Sequence, residues 1–170
     1  DYTEDELMAF INDLRQHAKI FMLNGESLSL GVGRLTKSIR CLNKSYQQAL
    51  SIQKLQKKGK IDTDMIFYSQ MGLYQLLLGI EDHSILKDYY ERMLAPLLKY
   101  ESANDSDLSL VLKSYLNHNG SVKETSDELF VHRNTVNYKL NKIEELLHVD
   151  LSALTVRLQL MIAFMLEDML

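Results

Sequence analysis

The sequence predicts a mainly α-helical chain with one small α/β segment near its start. Three observations carry that prediction. Apolar residues recur at helical spacing through most of the 170 residues, two short early stretches read instead as strands, and every pattern after Ser69 is helical.

The first helix is expected over Glu4 to about Met22, where Leu7, Phe10, Ile11, Leu14, Ala18 and Phe21 share one face and Asn24-Gly25 ends the run. Ser27 to Val32, SLSLGV, alternates polar and apolar residues with a period of two, as a half-buried strand does, and Gly31 and Gly33 bracket its exit. A second helix, Ser38 to about Lys58, presents Ile39, Leu42, Tyr46, Ala49, Leu50 and Ile52 and stops at the glycine-bearing KKGK of 57–60. Met65-Ile66-Phe67-Tyr68 reads as a second strand. Two strands do not make an independent sheet, so the α/β part, residues 1–68, is expected to be incomplete. Residues 69–105 read as a helical connector: Ser69 caps a helix through Leu78, Ser84 caps one through about Leu94, and Pro96 opens a short one. The polar ESANDS at 101–106 is expected to be a linker or hinge, followed by a last domain over 106–170.

Composition limits the function. The net charge of -4 argues against a protein that coats nucleic acid indiscriminately, because phosphate affinity comes from Lys and Arg. The charge is uneven, however: residues 1–60 hold ten basic and six acidic side chains, whereas 105–170 hold six and ten. Inside that acidic third, His132 to Ile143 carries Arg133, Lys139 and Lys142 and no carboxylate, a local basic surface of the kind groove binding needs. Cys41 is the single cysteine, which excludes an internal disulfide and a cysteine zinc site and fits a reducing, cytoplasmic setting. No apolar run reaches the length of a bilayer span, and no cofactor or metal pattern is present. The start at Asp1, without Met or a signal sequence, reads as a fragment of a longer chain whose other part would hold a sensor.

The densest signal lies after the polar stretch. Ser106 or Asp107 can cap a helix with Leu108, Val111, Leu112, Tyr115 and Leu116 inward, and Asn119-Gly120 ends it in a left-handed turn. Ser121 caps the next helix and forms, with Glu124, a Ser-x-x-Glu capping box; Val122, Ser126 and Leu129 face inward. His132 or Arg133 opens a third helix whose stripe is Val136, Leu140, Ile143 and Leu147 and whose other face is Arg133, Asn134, Asn137, Tyr138 and Asn141. A short helix, a tight turn and a longer helix with a basic, amide-rich face make a helix-turn-helix, whose second helix enters the major groove of duplex DNA. Arg133 suits guanine O6 and N7, and Asn134 and Asn137 suit adenine N6 and N7. Thr135, Ser121 and the helix-start amides suit phosphate, with Tyr138, Lys139 and Lys142 extending the backbone contacts and His132 secondary.

The stretch NGSVKETSDELFVHRNTVNYKLNKIEELLHVDL, 119–151, resembles the C-terminal DNA-binding domain of the bacterial PucR/CdaR transcriptional regulators, and more distantly the helix-turn-helix of Fis. FVHRNTVNYKLNKIE is its most specific part. LSLGVGR at 28–34 followed by SIRCLNKSYQQAL at 38–50 is similar to the end of the degenerate GGDEF-like domain that precedes the helix-turn-helix in those regulators. The resemblance implies a C-terminal helix-turn-helix domain behind a small α/β remnant of a GGDEF-like domain, with Arg133, Asn134, Thr135, Asn137 and Tyr138 on the recognition helix and Ser121 to Leu129 on the supporting one. It implies a nucleoid-associated regulator with a small-molecule effector bound outside these residues; a homodimer on operator DNA is expected because a single module this small buries little surface on DNA and reads few bases. Two departures stand out. The turn has Phe130 where the usual motif has glycine, so it is expected to be built without a free left-handed glycine position, and no intact GGDEF signature is present, so cyclase activity does not carry over.

Blander readings stand beside these. Residues 121–147 also suit a helical hairpin that merely packs, or a module whose third helix binds a protein groove. Arg133 and Lys139 also suit solvated surface charges, and His132 a helix cap. Gly-x-Gly in GVGR is a weak nucleotide-binding signal that a strand exit explains equally well, and Asp62 and Asp64, the acidic pair that a magnesium-dependent GGDEF-like enzyme would need, suit a solvated loop. Ser152 to Leu170 is apolar around its circumference and is expected to pack on the helix-turn-helix or between two subunits.

Overall fold

In the computed structural model, residues 3–22, 28–62 and 66–169 are described. The chain divides into two compact units, Asp1–Gly72 and Leu73–Leu170. Its described residues are mainly helical.

In the first unit, α1 (Glu4–Phe21) begins in a reciprocal cap: Thr3 Oγ1 accepts from the Glu6 N–H, and the Glu6 carboxylate accepts from the Thr3 N–H at 2.8 Å. Of its expected apolar face only Ile11 is buried, against Ile66 and Phe67, while Phe10, Leu14 and Phe21 are exposed. A 3₁₀ turn, Ile39–Cys41, leads into α2 (Leu42–Lys57). Here too the expected face is only partly inward. Ile52 and Leu55 are buried, but Ile39, Leu42 and Tyr46 are exposed.

The two expected strands are reduced to one parallel bridge between Val32 and Phe67. Val32 N–H donates to Ile66 O at 2.7 Å and Tyr68 N–H to Val32 O at 2.9 Å. The glycines flanking Val32 explain why this segment hugs a helix rather than extending a sheet. A Cβ on Gly33 would lie 1.9 Å from Ser45 O of α2, and one on Gly31 would lie 2.3 Å from Ala49 O. The expected break at Asn24-Gly25, the strand start at Ser27, Asp64 and Met65 lie outside the described residues.

Ser69 sits in a 3₁₀ turn, Tyr68–Gln70, and does not cap a long helix; the helix that follows, α3, spans only Leu73–Leu77. The two helices expected around Pro96 are one. α4 runs His83–Asn104 straight through the proline, capped by Asp82 Oδ1, which accepts from the Ser84 N–H at 3.0 Å. Proline removes one ladder hydrogen bond, yet Leu94 and Leu97 on either side of it are fully buried, and that burial holds the helix together across the gap. The expected linker is also absent. Asp105, at φ +47, turns the chain at once, and α5 (Leu108–Asn117) starts three residues later. Glu101 Oε1 accepts from the Ser109 N–H at 2.7 Å, so α4 and α5 are stapled across the turn.

Three helices complete this unit: α6 (Val122–Glu128), α7 (Arg133–Leu147) and α8 (Leu154–Met169). Its core takes Leu94 and Leu97 from α4, Val111 and Leu112 from α5, Val136 and Ile143 from α7, and Leu160 from α8. The apolar terminal segment therefore packs within its own chain, mainly on α4, with Leu154 and Leu158 left exposed. Leu112→Ala should cost about 2–5 kcal/mol of stability by urea unfolding, because it empties a fully buried site. Gly33→Ala should lower stability through the first unit, where its methyl meets a backbone carbonyl that cannot move aside; an unchanged unfolding midpoint would contradict that packing.

Candidate nucleic-acid interface

The supporting helix α6 starts at Ser121, whose Oγ accepts from the Glu124 N–H at 3.3 Å. Glu124 does not return the bond. Its carboxylate instead lies 3.4 Å from His118 Nδ1, and the other ring nitrogen lies 3.2 Å from Glu128 Oε2. The buried Ser114 hydroxyl donates to the same Glu128 oxygen. That bond, with the nearby imidazole, holds the Glu128 carboxyl below the usual range. The cluster ties α6 to α5. Thr125 and Ser126, buried polar residues, satisfy their hydroxyls within the helix, donating to Ser121 O at 2.8 Å and Lys123 O at 2.7 Å. Thr125 has no hydrophobic signature, so the apolar periodicity passes over it.

The turn between α6 and α7 has no glycine, yet it does contain a left-handed position, and Phe130 occupies it at φ +54. The Val131 N–H then reaches back to Ser126 O at 3.1 Å, the bond that closes a Schellman-type helix end. Val131 turns toward the core, while Phe130 is 95% exposed.

α7 opens on His132, whose Nδ1 accepts from the Asn134 N–H at 3.2 Å. This cap requires an unprotonated Nδ1, with the ring hydrogen on Nε2. Val136, Leu140 and Ile143 are buried and Leu147 is half-buried. With that stripe inward, Arg133, Asn134, Thr135, Asn137, Tyr138 and Asn141 are all exposed, Tyr138 to 72%.

The two lysines are placed differently. Lys139 Nζ lies 2.5 Å from Asp107 Oδ1 at the start of α5, with its side chain only 20% exposed. The hydrogen bond from Lys139 holds the Asp107 carboxyl below its ordinary value. Lys142 Nζ lies 2.9 Å from Glu145 Oε2 and 5.4 Å from the centre of the Tyr100 ring. Among the described residues, Arg133 has no such partner. The same residues contain no cluster of three or more His, Cys, Asp or Glu able to hold a metal, and no helix long and apolar enough to cross a membrane.

His132→Ala should remove the side-chain acceptor at the start of α7 and cost about 0.5–2 kcal/mol, whereas His132→Asn, which retains an acceptor, should recover most of it. Thermal unfolding of the three proteins checks this; equal losses for both variants would show that the ring acts by packing rather than as a cap.

This arrangement has known counterparts. The profile of the PucR C-terminal helix-turn-helix domain matches residues 108–166, which begin at α5 and end within α8. The chain is similar to the proline-responsive transcriptional activator PutR of Bacillus subtilis, at 31% identity over 158 residues, covering 92% of this chain and 38% of that protein. It is also similar to the DNA-binding transcriptional activator AdeR of the same organism, at 29% identity covering 74% of this chain and 30% of AdeR. The carbohydrate diacid regulator of Escherichia coli is 32% identical, over 74% of this chain and 32% of its own length. The chain thus spans between 30% and 38% of the length of these relatives. With α5 to α7 arranged as described, residues 108–166 form a PucR C-terminal helix-turn-helix domain, and the chain belongs with the PucR-family regulators.

Proposed function

We propose that this chain is a sequence-specific DNA-binding transcriptional regulator that places α7 in the major groove of an operator as a homodimer. The observation that supports this most is the one-sidedness of α7: its apolar stripe is committed to the core, which leaves an exposed face of one arginine, three asparagines, a threonine and a tyrosine. Arginine and asparagine are the side chains that form paired hydrogen bonds with guanine and adenine edges. In this reading Arg133, Asn134 and Asn137 read bases, while Thr135, Tyr138, Ser121 and His132 lie along the phosphates. Lys139 and Lys142 join them by exchanging Asp107 and Glu145 for phosphate, an exchange that costs little because partly exposed ion pairs are worth at most about 1 kcal/mol. A single module of this size reads few base pairs, which favours a dimer on a repeated site.

The effector, in this proposal, is a small metabolite bound outside residues 1–170. The lengths of the relatives support that, as does the name of PutR, a proline-responsive activator. The unit before α3 is read as the end of a degenerate GGDEF-like domain without enzymatic activity; the parallel bridge beside α2 is compatible with such a remnant. A cytoplasmic, nucleoid-associated protein follows from this role.

Selection of random duplex DNA on the purified chain, followed by binding of the winner at two salt concentrations, tests the proposal. A repeated or palindromic motif with affinity falling steeply as salt rises is the expected result. Arg133→Ala should then cost about 1–3 kcal/mol and relax preference at one base, while Lys142→Ala lowers affinity evenly across sequences. No enrichment, with salt-insensitive capture of a protein partner instead, would make α7 an interaction helix.

A further inference from the structure

Among the described residues, four helices end with a left-handed residue followed by an N–H that reaches five residues back: Lys60 to Leu55, Gly120 to Tyr115, Val131 to Ser126 and Val149 to Glu144. The left-handed positions are held by Gly59, Asn119, Phe130 and His148. Glycine enters this region freely, and asparagine and histidine are among the residues that tolerate it best, whereas a bulky side chain there is an outlier. Phe130 is that outlier. Nor does its ring repay the strain by packing, since it is 95% exposed while its neighbours Leu129 and Val131 pack against the core. Folding accounts for neither the residue type nor its posture; glycine would serve the turn better.

Position supplies the missing reason. Phe130 is three residues, at most about 11 Å of chain, from Arg133 at the first turn of α7. We infer that Phe130 is a DNA-contacting residue whose ring packs on deoxyribose and thymine-methyl carbons at the edge of the groove that α7 enters. This rests on the DNA-binding reading above and adds an apolar contact to it, of the kind phenylalanine makes with thymine. A second copy of the chain is a poorer occupant. Lys123, Asp127, His132 and Arg133, close to the ring in sequence, are exposed and polar. One aromatic side chain offers about 150–250 Å², far below the roughly 1,000 Å² that a stable protein interface needs.

The experiment compares the whole chain with Phe130→Gly and Phe130→Leu for thermal stability, oligomeric state and affinity for the duplex that the wild type selects, at several salt concentrations. Phe130→Gly should melt at the same or a higher temperature and keep its oligomeric state, yet bind about 5- to 20-fold more weakly, with the salt slope unchanged because an apolar contact releases no counterions. Phe130→Leu should retain part of the affinity. Equal affinity of wild type and Phe130→Gly overturns the inference alone, as does a loss that merely follows lower stability or a dissociated dimer. Failure of the wild type to select any duplex overturns the DNA-binding reading, and this inference with it.

Discussion

The orientation of α7 depends on one constraint, the burial of Val136, Leu140 and Ile143 in a core shared with α4, α5 and α8. An α-helix repeats every 3.6 residues, so once three positions of a stripe are fixed inward the opposite positions have no freedom left. Both ends are then braced. His132 caps the start, and at the other end the Glu144 carboxylate accepts the Leu151 N–H at 2.7 Å while Arg157 donates to the carbonyls of Leu151 and Ser152 at 2.8 and 2.6 Å. A helix held this way has its outward face set by the core of its own unit.

Electrostatics act on that face in two stages. Lys139 and Lys142 look, by position, like the cations of a phosphate-binding surface, but in the free chain each is engaged by a carboxylate. The Asp107 pair lies between α5 and α7, so it braces the helix as well as neutralising it. A carboxyl whose value is depressed by folding contributes stability above the ordinary aspartate range and loses it as pH falls through the lowered folded value. The brace is therefore intact at neutral pH and opens only in strong acid. What remains freely available at the tip of the helix is Arg133 and a row of amides, a surface with more hydrogen-bonding detail than charge.

The second unit was more legible in the sequence than the first. Helix boundaries from Leu108 onward follow from capping residues and apolar spacing because α5 to α7 bury their stripes within the chain itself. In α1 and α2 the same spacing misleads: Phe10, Leu14, Ile39, Leu42 and Tyr46 recur at helical intervals but face solvent in this chain, and periodicity reports an apolar face without reporting what covers it. Pro96 and ESANDS misled for another reason. Local punctuation was overruled by tertiary burial in one case and by the Glu101–Ser109 staple in the other. At the candidate interface, the outward position of Arg133, Asn134, Asn137 and Tyr138 could be read from the pattern, whereas the pairing of Lys139 with a residue 32 positions away could not. In the sequence Phe130 stands out only as a missing glycine, and its left-handed backbone is a property of the fold.

The stapled turn between α4 and α5 has a consequence for how such a domain can be exchanged among proteins. The family profile starts at Leu108, but the compact unit that contains it starts at Leu73, and Leu94 and Leu97 of α4 are fully buried in the same core as α7. A recombination event joining foreign sequence at the profile boundary would carry away one wall of that core and leave α8 without the helix it mainly packs on. Joining at Gly72 keeps the wall. The compact module is thus longer than the profile-matched region by α3 and α4, and sequence change in α4 is constrained by its direct packing on α7 as well as on α8.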